Sequence, residues 1–366
     1  MKVLISGGGT AGHINPAIAI AKRLQKEYNA DILFVGKESG LEKTLVPKEG
    51  FDIKYIDVEG LVRKLTLKNI AVAAKYMRAI SNAKKIIRAF APDVVVGTGG
   101  YVCAPVLTAA HALKIPVLVH EQNVFPGMTV KMAARFADCV AISFEDTMRY
   151  VSEKAKKACV LTGNPLRENM LELSYEAARR ALGITDDTPF VVTVGGSLGA
   201  KTINQALVEI LQMDEDINFR LLGGTGQRFY DEVLQQVDKT KLDETKKIVP
   251  YIYNMDQVLP AADLVIARSG AITVSELCAL GRPAILIPSP NVTHNHQEYN
   301  AKSVQDRGAA VMICERDLMP GVVAQTVKEL LASSEKRAQM SEKAKKNAIT
   351  DGTKRICDLV AKLANR

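Results

Sequence analysis

Val3-Leu4-Ile5-Ser6-Gly7-Gly8-Gly9-Thr10-Ala11-Gly12-His13 decides the fold, together with a second stretch built the same way. That second stretch is Phe190-Val191-Val192-Thr193-Val194-Gly195-Gly196-Ser197-Leu198-Gly199-Ala200. In each, an apolar run suited to a strand buried on both faces enters a glycine-rich turn and then a helical pattern. Such a turn gathers backbone N–H groups at a helix N-terminus, where negative charge is favoured. One loop of this kind points to a nucleotide site. Two, opening corresponding halves, point to two α/β domains facing across a cleft.

Outward from these loops the alternation continues. Strands are expected at Val3–Ser6, Ile32–Val35, Val94–Gly97, Val117–His120 and Cys139–Ile142, with helices clearest over Pro16–Tyr28 and Leu67–Phe90. Short apolar strands alternating with amphipathic helices predict a parallel, doubly wound, Rossmann-like sheet. Thr162-Gly163-Asn164-Pro165 breaks the pattern, which restarts with strands at Val191–Val194, Phe219–Leu222, Ile248–Pro250, Leu264–Ala267, Ala284–Ile287 and Ala310–Met312. From Val322 the chain reads as helical. The expected division is 1–163, 164–345 and a C-terminal helix, 346–366, packing back on the first domain.

Composition narrows the class. The chain has 366 residues, 47% hydrophobic and 24% charged, an ordinary soluble balance with room for two cores. Trp is absent, so the cores must be aliphatic. The six cysteines form no C-x-x-C pair, which predicts buried, reduced thiols in a cytosolic protein. Met1-Lys2 leads straight into the first strand, so no signal peptide is expected. The formal charge is +8, and Arg63, Lys64, Lys68, Lys75, Arg78, Lys84, Lys85 and Arg88 fall between Leu61 and Arg88 with no acid among them. Leu65, Leu67, Val72, Tyr76, Met77 and Ile80 are interleaved with these. That segment reads either as a solvated helix face over a core stripe or as a surface for an anionic membrane. No recognition motif accompanies the charge, so nucleic acid is not an expected partner.

Gly7-x-Gly9-x-x-Gly12, with Glu38 after the second strand, fits the dinucleotide fingerprint and raises a nicotinamide oxidoreductase as the competing reading. Against it, Glu38 lies beyond the usual spacing of about 20 residues. The ring of His13 also follows the last glycine where a small packing residue is normal, and a dehydrogenase leaves the second loop unexplained. Arg268-Ser269-Gly270-Ala271-Ile272-Thr273-Val274-Ser275-Glu276 reads as a loop feeding a helix. A carboxylate at Glu276 can accept both hydroxyls of a ribose diol, while Ser269 to Ile272 offer N–H groups. The plainer alternative makes Ser269 a helix cap and leaves Glu276 on a solvated face. His294, Asn295, His296, Gln297 and Asn300 form a polar loop suited to sugar hydroxyls. His294-x-His296 lacks a third ligand, so neither metal nor cofactor is expected. Asp214-Glu215-Asp216 carries D-x-D spacing but precedes a strand, as a surface turn would. His120-Glu121-Gln122-Asn123 and Gly97-Thr98-Gly99-Gly100-Tyr101 leave strands at their C-terminal ends, where open α/β sheets place ligands.

GGGTAGHINPA, GTGGYVCAP, HEQN, TGNPLR, GGSLGA, RSGAITVSE and NHQ…NA occur in that order over nearly the whole chain. The ordered set resembles the MurG family of bacterial cell-wall N-acetylglucosaminyltransferases. The resemblance implies two Rossmann-like domains in the GT-B architecture. It implies metal-independent, inverting transfer of N-acetylglucosamine from UDP-N-acetylglucosamine to lipid I, the undecaprenyl-diphosphate-linked muramyl peptide. It implies a peripheral enzyme on the cytoplasmic face of the bacterial plasma membrane, with cell-wall synthesis proteins as further partners. Carried over, the family pattern assigns the ribose to Glu276 and the phosphates to Ser197 beside Gly196, with Arg167 near the nucleotide and Ile252 at the uracil. Asn123, Ala271, Ile272, His296, Gln297 and Asn300 would reach the sugar nucleotide, as would Thr10, Gly12 and His13. The acceptor would meet the Gly9–His13 loop and Gly99, Gly100 and Tyr101. His13 is the candidate base, by its intrinsic pKa range, and Glu121 its rival.

Overall fold

The apolar runs become strands of two wholly parallel sheets. The computed structural model describes residues 1–59, 68–196, 198–213 and 217–365. The chain divides into one unit of Met1–Leu166 with Ile349–Arg366 and another of Arg167–Ala348. The first carries β1 Lys2–Gly7, β2 Asp31–Gly36, β3 Asp52–Tyr55, β4 Val94–Gly99, β5 Val117–Glu121, β6 Cys139–Ile142 and β7 Cys159–Leu161, in the order β3-β2-β1-β4-β5-β6-β7. The second carries β8 Phe190–Val194, β9 Arg220–Gly224, β10 Lys246–Val249, β11 Leu264–Ala267, β12 Ala284–Leu286 and β13 Ala310–Met312, in the order β10-β9-β8-β11-β12-β13. Both orders reverse once, between β1 and β4 and between β8 and β11. At such a switch point the following loops part to opposite faces and leave room for a ligand beyond the strands' carboxyl ends.

Period-2 alternation puts Leu4, Val95 and Val119 on one face of the first sheet, packed with Ala79, Ala83 and Ile87. Ile5, Val96 and Leu118 face the other side, with Ile14, Ile20 and Leu24. The helix Gly352–Ala364 buries Ile356, Cys357, Val360 and Leu363 in that second cluster, so the end of the chain belongs to the first unit's core. That unit also runs past the expected boundary at 163, to Leu166. Asn164 is buried in it, donating to the Gln122 carbonyl (3.1 Å) and accepting from the Ser143 hydroxyl (2.9 Å). The second unit ends at Ala348 rather than 345.

Two expectations need correction. β3 and β7 were not anticipated; both are edge strands whose residues are mostly partly or fully exposed, so neither presents a continuous apolar run. The first helix spans Ala11–Tyr28 and starts before Pro16, which lies inside it. Of the two readings of the basic stretch, the described part fits a solvated helix face over a core stripe. Residues 60–67, with Leu65 and Leu67, lie outside the described residues, as do Ser197 and 214–216. Over the described part of the helix Lys68–Phe90, Val72 is buried and Tyr76 and Ile80 pack on the core, so their stripe faces inward. Lys75 pairs with Glu59 (2.5 Å) and Asp57 (3.4 Å), acids just outside the basic window. Met77 remains exposed beside Arg78.

Candidate functional site

Four of the loops singled out from sequence leave β1, β4, β8 and β11, the strands that flank the two switch points, while His120–Asn123 leaves β5 and the His294–Asn300 loop follows β12. In the first unit His13 sits in the opening turn of its helix because that helix begins at Ala11. Its Nδ1 lies 3.1 Å from the Gly8 carbonyl and 3.2 Å from Thr10 Oγ1. A carbonyl has no proton to give, so Nδ1 is the donor and the neutral ring carries its lone pair on Nε2. The His13 backbone carbonyl accepts from the buried Thr98 hydroxyl (2.8 Å). Gly99, at φ 109°, lies against the ring; a Cβ there would stand 2.8 Å from His13 Cδ2. A side chain at that position would therefore displace the imidazole.

Glu121 is placed differently. It is buried, with Oε1 accepting from the Asn123 N–H (2.9 Å) and Nδ2 (3.1 Å), and Oε2 from the Gly127 N–H (2.8 Å). Burial pushes its carboxyl up and these bonds pull it back. Its carboxylate thus shapes the 121–127 loop. Behind it, His120 is fully buried, accepting at Nδ1 from Gln122 Nε2 (2.9 Å) and facing the Gly163 carbonyl with Nε2 (3.3 Å). Desolvation holds that imidazole down at about 4. Gln122 Nε2 also donates to the Thr98 carbonyl (2.9 Å), continuing the chain of bonds towards His13. Tyr101 is exposed, with Lys37 Nζ 5.6 Å over its ring and its edge near Gly9.

Glu42 is a residue that sequence reasoning missed. It is 1% exposed and accepts from the Lys37 N–H (2.9 Å) and the Gly9 N–H (3.2 Å). Gly8 N–H donates to the Gly99 carbonyl (3.3 Å). Two amides of the first glycine loop are therefore taken, one of them by a carboxylate that repels a pyrophosphate. The start of the helix at Ala11 and Gly12 has no side-chain cap, and a helix start of that kind can receive an anion. Glu38, the acid after the second strand that raised the dinucleotide reading, is exposed and pairs with Lys43 (3.3 Å). Both facts weigh against the oxidoreductase reading. The signal for Glu42 was a glutamate opening a short helix after β2, one turn beyond Glu38.

In the second unit Glu276 lies in the helix Ala271–Leu280 and is 4% exposed. Arg167 meets it with a two-pronged contact, Nε to Oε1 (2.9 Å) and Nη2 to Oε2 (3.2 Å). The plainer alternative fails on both counts. Glu276 is not solvated, and the buried Ser269 donates its hydroxyl to the Gln297 carbonyl (2.8 Å) instead of capping the helix, whose N-cap is Gly270. Asn300 is fully buried and its Nδ2 donates to the Ser269 carbonyl (3.1 Å). Gln297 Oε1 accepts from the Ser289 N–H (2.9 Å). Both amides thus hold the loops around the start of that helix, where Ala271 and Ile272 stand. His296 is half-buried, with Nδ1 donating to the Thr293 carbonyl (2.8 Å), and burial pushes its imidazole down.

Gly196, at φ 83°, is exposed at the tip of the second glycine loop. Ile252 is buried, with its side chain against Gly224. Arg268 ties the two loops of this switch point together. Its guanidinium reaches the Ile287 carbonyl (3.0 Å), Thr202 Oγ1 (3.3 Å) and Glu315 Oε1 (2.6 Å). Thr202 lies in the first turn of the helix Lys201–Leu211 that follows the glycine loop. Among the described residues no group of three or more His, Cys, Asp or Glu is arranged to hold a metal ion. Nor is any described helix long and apolar enough to cross a membrane.

Comparison with known proteins bears on this arrangement. Residues 3–142 match the glycosyltransferase family 28 N-terminal domain, and residues 190–356 the glycosyltransferase family 28 C-terminal domain. The chain is 49% identical to the UDP-N-acetylglucosamine--N-acetylmuramyl-(pentapeptide) pyrophosphoryl-undecaprenol N-acetylglucosamine transferase of Acetivibrio thermocellus, over 98% of this chain and 97% of that one. It is 48% identical to the protein of the same name from Caldanaerobacter subterraneus, over 98% and 99%. A crystal structure of MurG from Acinetobacter baumannii superposes with a TM-score of 0.82 at 29% identity, covering 99% of each chain. The chain belongs to the MurG family of N-acetylglucosamine transferases, with both domains of glycosyltransferase family 28.

Proposed function

We propose that this glycosyltransferase moves N-acetylglucosamine from UDP-N-acetylglucosamine to the muramyl 4-hydroxyl of an undecaprenyl-diphosphate-linked muramyl pentapeptide, with inversion. The observation that carries the reading is the buried Glu276 carboxylate behind the switch point of the second sheet, where a ribose diol finds two acceptors and a diphosphate finds helix starts. The muramyl oxygen attacks C1 while the bond from C1 to the diphosphate oxygen breaks, and its electron pair leaves with UDP. Negative charge then builds on the diphosphate. The helices that start at Lys201 and Ala271 have no side-chain cap and offer N–H groups to it, so the step asks for no metal. The hydroxyl proton passes to His13 Nε2, whose lone pair is fixed by the bond Nδ1 makes to Gly8. Glu121, buried and bonded to its own loop, orients that segment instead. Transfer of radiolabel from UDP-N-acetylglucosamine to the lipid-linked acceptor in the presence of EDTA tests the reading. Absence of labelled lipid product overturns it.

The polyprenyl acceptor places the enzyme peripherally on the cytoplasmic face of the bacterial plasma membrane. The charge of the 61–88 stretch supports an anionic bilayer surface as its partner. Leu65→Asp and Leu67→Asp should weaken binding to anionic vesicles while sparing turnover of a soluble acceptor. Unchanged vesicle binding in both variants refutes the assignment.

A further inference from the structure

We propose that Arg167 holds the place of the ribose diol when no nucleotide is bound, and so makes the site select a nucleoside diphosphate over a bare nucleoside. The inference rests on the reading that Glu276 takes the ribose. A glutamate that is 4% exposed cannot leave its charge without a partner, and Arg167 is its sole partner among the described residues. The contact engages both carboxylate oxygens, the two acceptors a 2′,3′-diol requires. The two partners are unequally placed: the Glu276 side chain is 5% exposed and that of Arg167 50%. When a ligand arrives, the carboxylate stays and the guanidinium leaves.

Two hydroxyls replacing a guanidinium exchange an ion pair for bonds from neutral donors and leave the cation with water alone. A nucleoside alone therefore gains little. A nucleoside diphosphate brings the anion that the displaced guanidinium can meet, which restores an ion pair. Selectivity for the diphosphate is thus written into an ion pair that must break, in addition to the helix starts that receive the phosphates.

The test is calorimetric binding of uridine, 2′,3′-dideoxyuridine and UDP to the wild-type protein, Arg167→Ala and Arg167→Lys. Removing the competitor should tighten uridine about three- to tenfold in Arg167→Ala, the range expected for freeing one half-exposed bidentate pair. The gain should vanish with dideoxyuridine, which has no hydroxyls for Glu276. UDP should weaken about ten- to hundredfold in the same variant, the loss of one charged hydrogen-bonding partner. Arg167→Lys, keeping charge without the fork, should fall between. Uridine binding unchanged or weakened in Arg167→Ala, or an equal gain with dideoxyuridine, overturns the inference even where wild type binds UDP and transfers sugar. A wild type that binds neither uridine nor UDP overturns the donor-site reading itself, and the inference with it.

Discussion

Replacing Glu42 with Ala tests whether the first glycine loop is held by a carboxylate. The side chain is 1% exposed and accepts from Lys37 N–H at 2.9 Å and Gly9 N–H at 3.2 Å. Bonds to a charged group contribute about 1.5–3 kcal/mol each, but Gly9 is exposed enough for water to replace part of its loss. We therefore expect a loss of about 2–4 kcal/mol, confined to the first unit. For a unit of this size that corresponds to about 5–15 °C in its melting transition. Differential scanning calorimetry with UDP present separates the two units, because a ligand raises only the transition of the unit that binds it. Glu42→Gln should fall between, since a carboxamide offers one acceptor oxygen and turns a donor towards the other N–H. The acceptor KM should rise in both variants while UDP affinity stays. A first-unit transition that moves by less than about 1 °C in Glu42→Ala, or a matching loss of UDP affinity, refutes the reasoning.

Other changes probe the supports of His13. Thr98→Val keeps the shape but removes the hydroxyl bound to the His13 carbonyl, and should lower kcat about tenfold and stability by about 1–2 kcal/mol, with KM for the sugar nucleotide unchanged. Steady-state kinetics beside thermal melts check it. Gly99→Ala places a Cβ against the imidazole and should reduce turnover while calorimetry finds UDP binding intact. His120 should make the fold sensitive to acid. Its folded pKa, about 4, lies below its ordinary 6.5, so the unfolded chain binds the proton first. Its contribution is complete above about pH 6.5 and falls by roughly 3 kcal/mol as the pH drops to 4. Denaturant titrations between those limits should show a flatter pH dependence in His120→Gln; an unchanged slope contradicts the buried neutral ring.

How far the sequence spoke depended on burial. β6 and β11 begin and end where the apolar runs do, because interior parallel strands are covered on both faces. β3 (Asp-Ile-Lys-Tyr) and the three-residue β7 sit at the sheet edges, where one covered face leaves no continuous apolar signal. Pro16 looked like a helix start because its missing N–H is harmless there. The helix instead opens at Ala11, which sets His13 in the first turn. The motif loops were legible because glycine, a ribose-sized carboxylate and strand ends carry chemistry in their order along the chain. Glu42 was hidden because Glu38 is the first acid after the second strand, and only the path of the turn after β2 decides which acid enters the loop. The inward roles of Asn300 and Gln297 were hidden for a similar reason. An amide that grips a backbone and an amide that grips a sugar look alike in sequence.

The central claim is a division of labour, with Glu276 of the second unit gripping the donor and His13 of the first taking the acceptor's proton. Initial rates with both substrates varied, for Glu276→Ala and His13→Ala beside wild type, test it most directly. Glu276→Ala should raise the KM for UDP-N-acetylglucosamine strongly, and His13→Ala should lower kcat with UDP affinity near normal. Near-normal kcat in His13→Ala, or unchanged donor KM in Glu276→Ala, would contradict it.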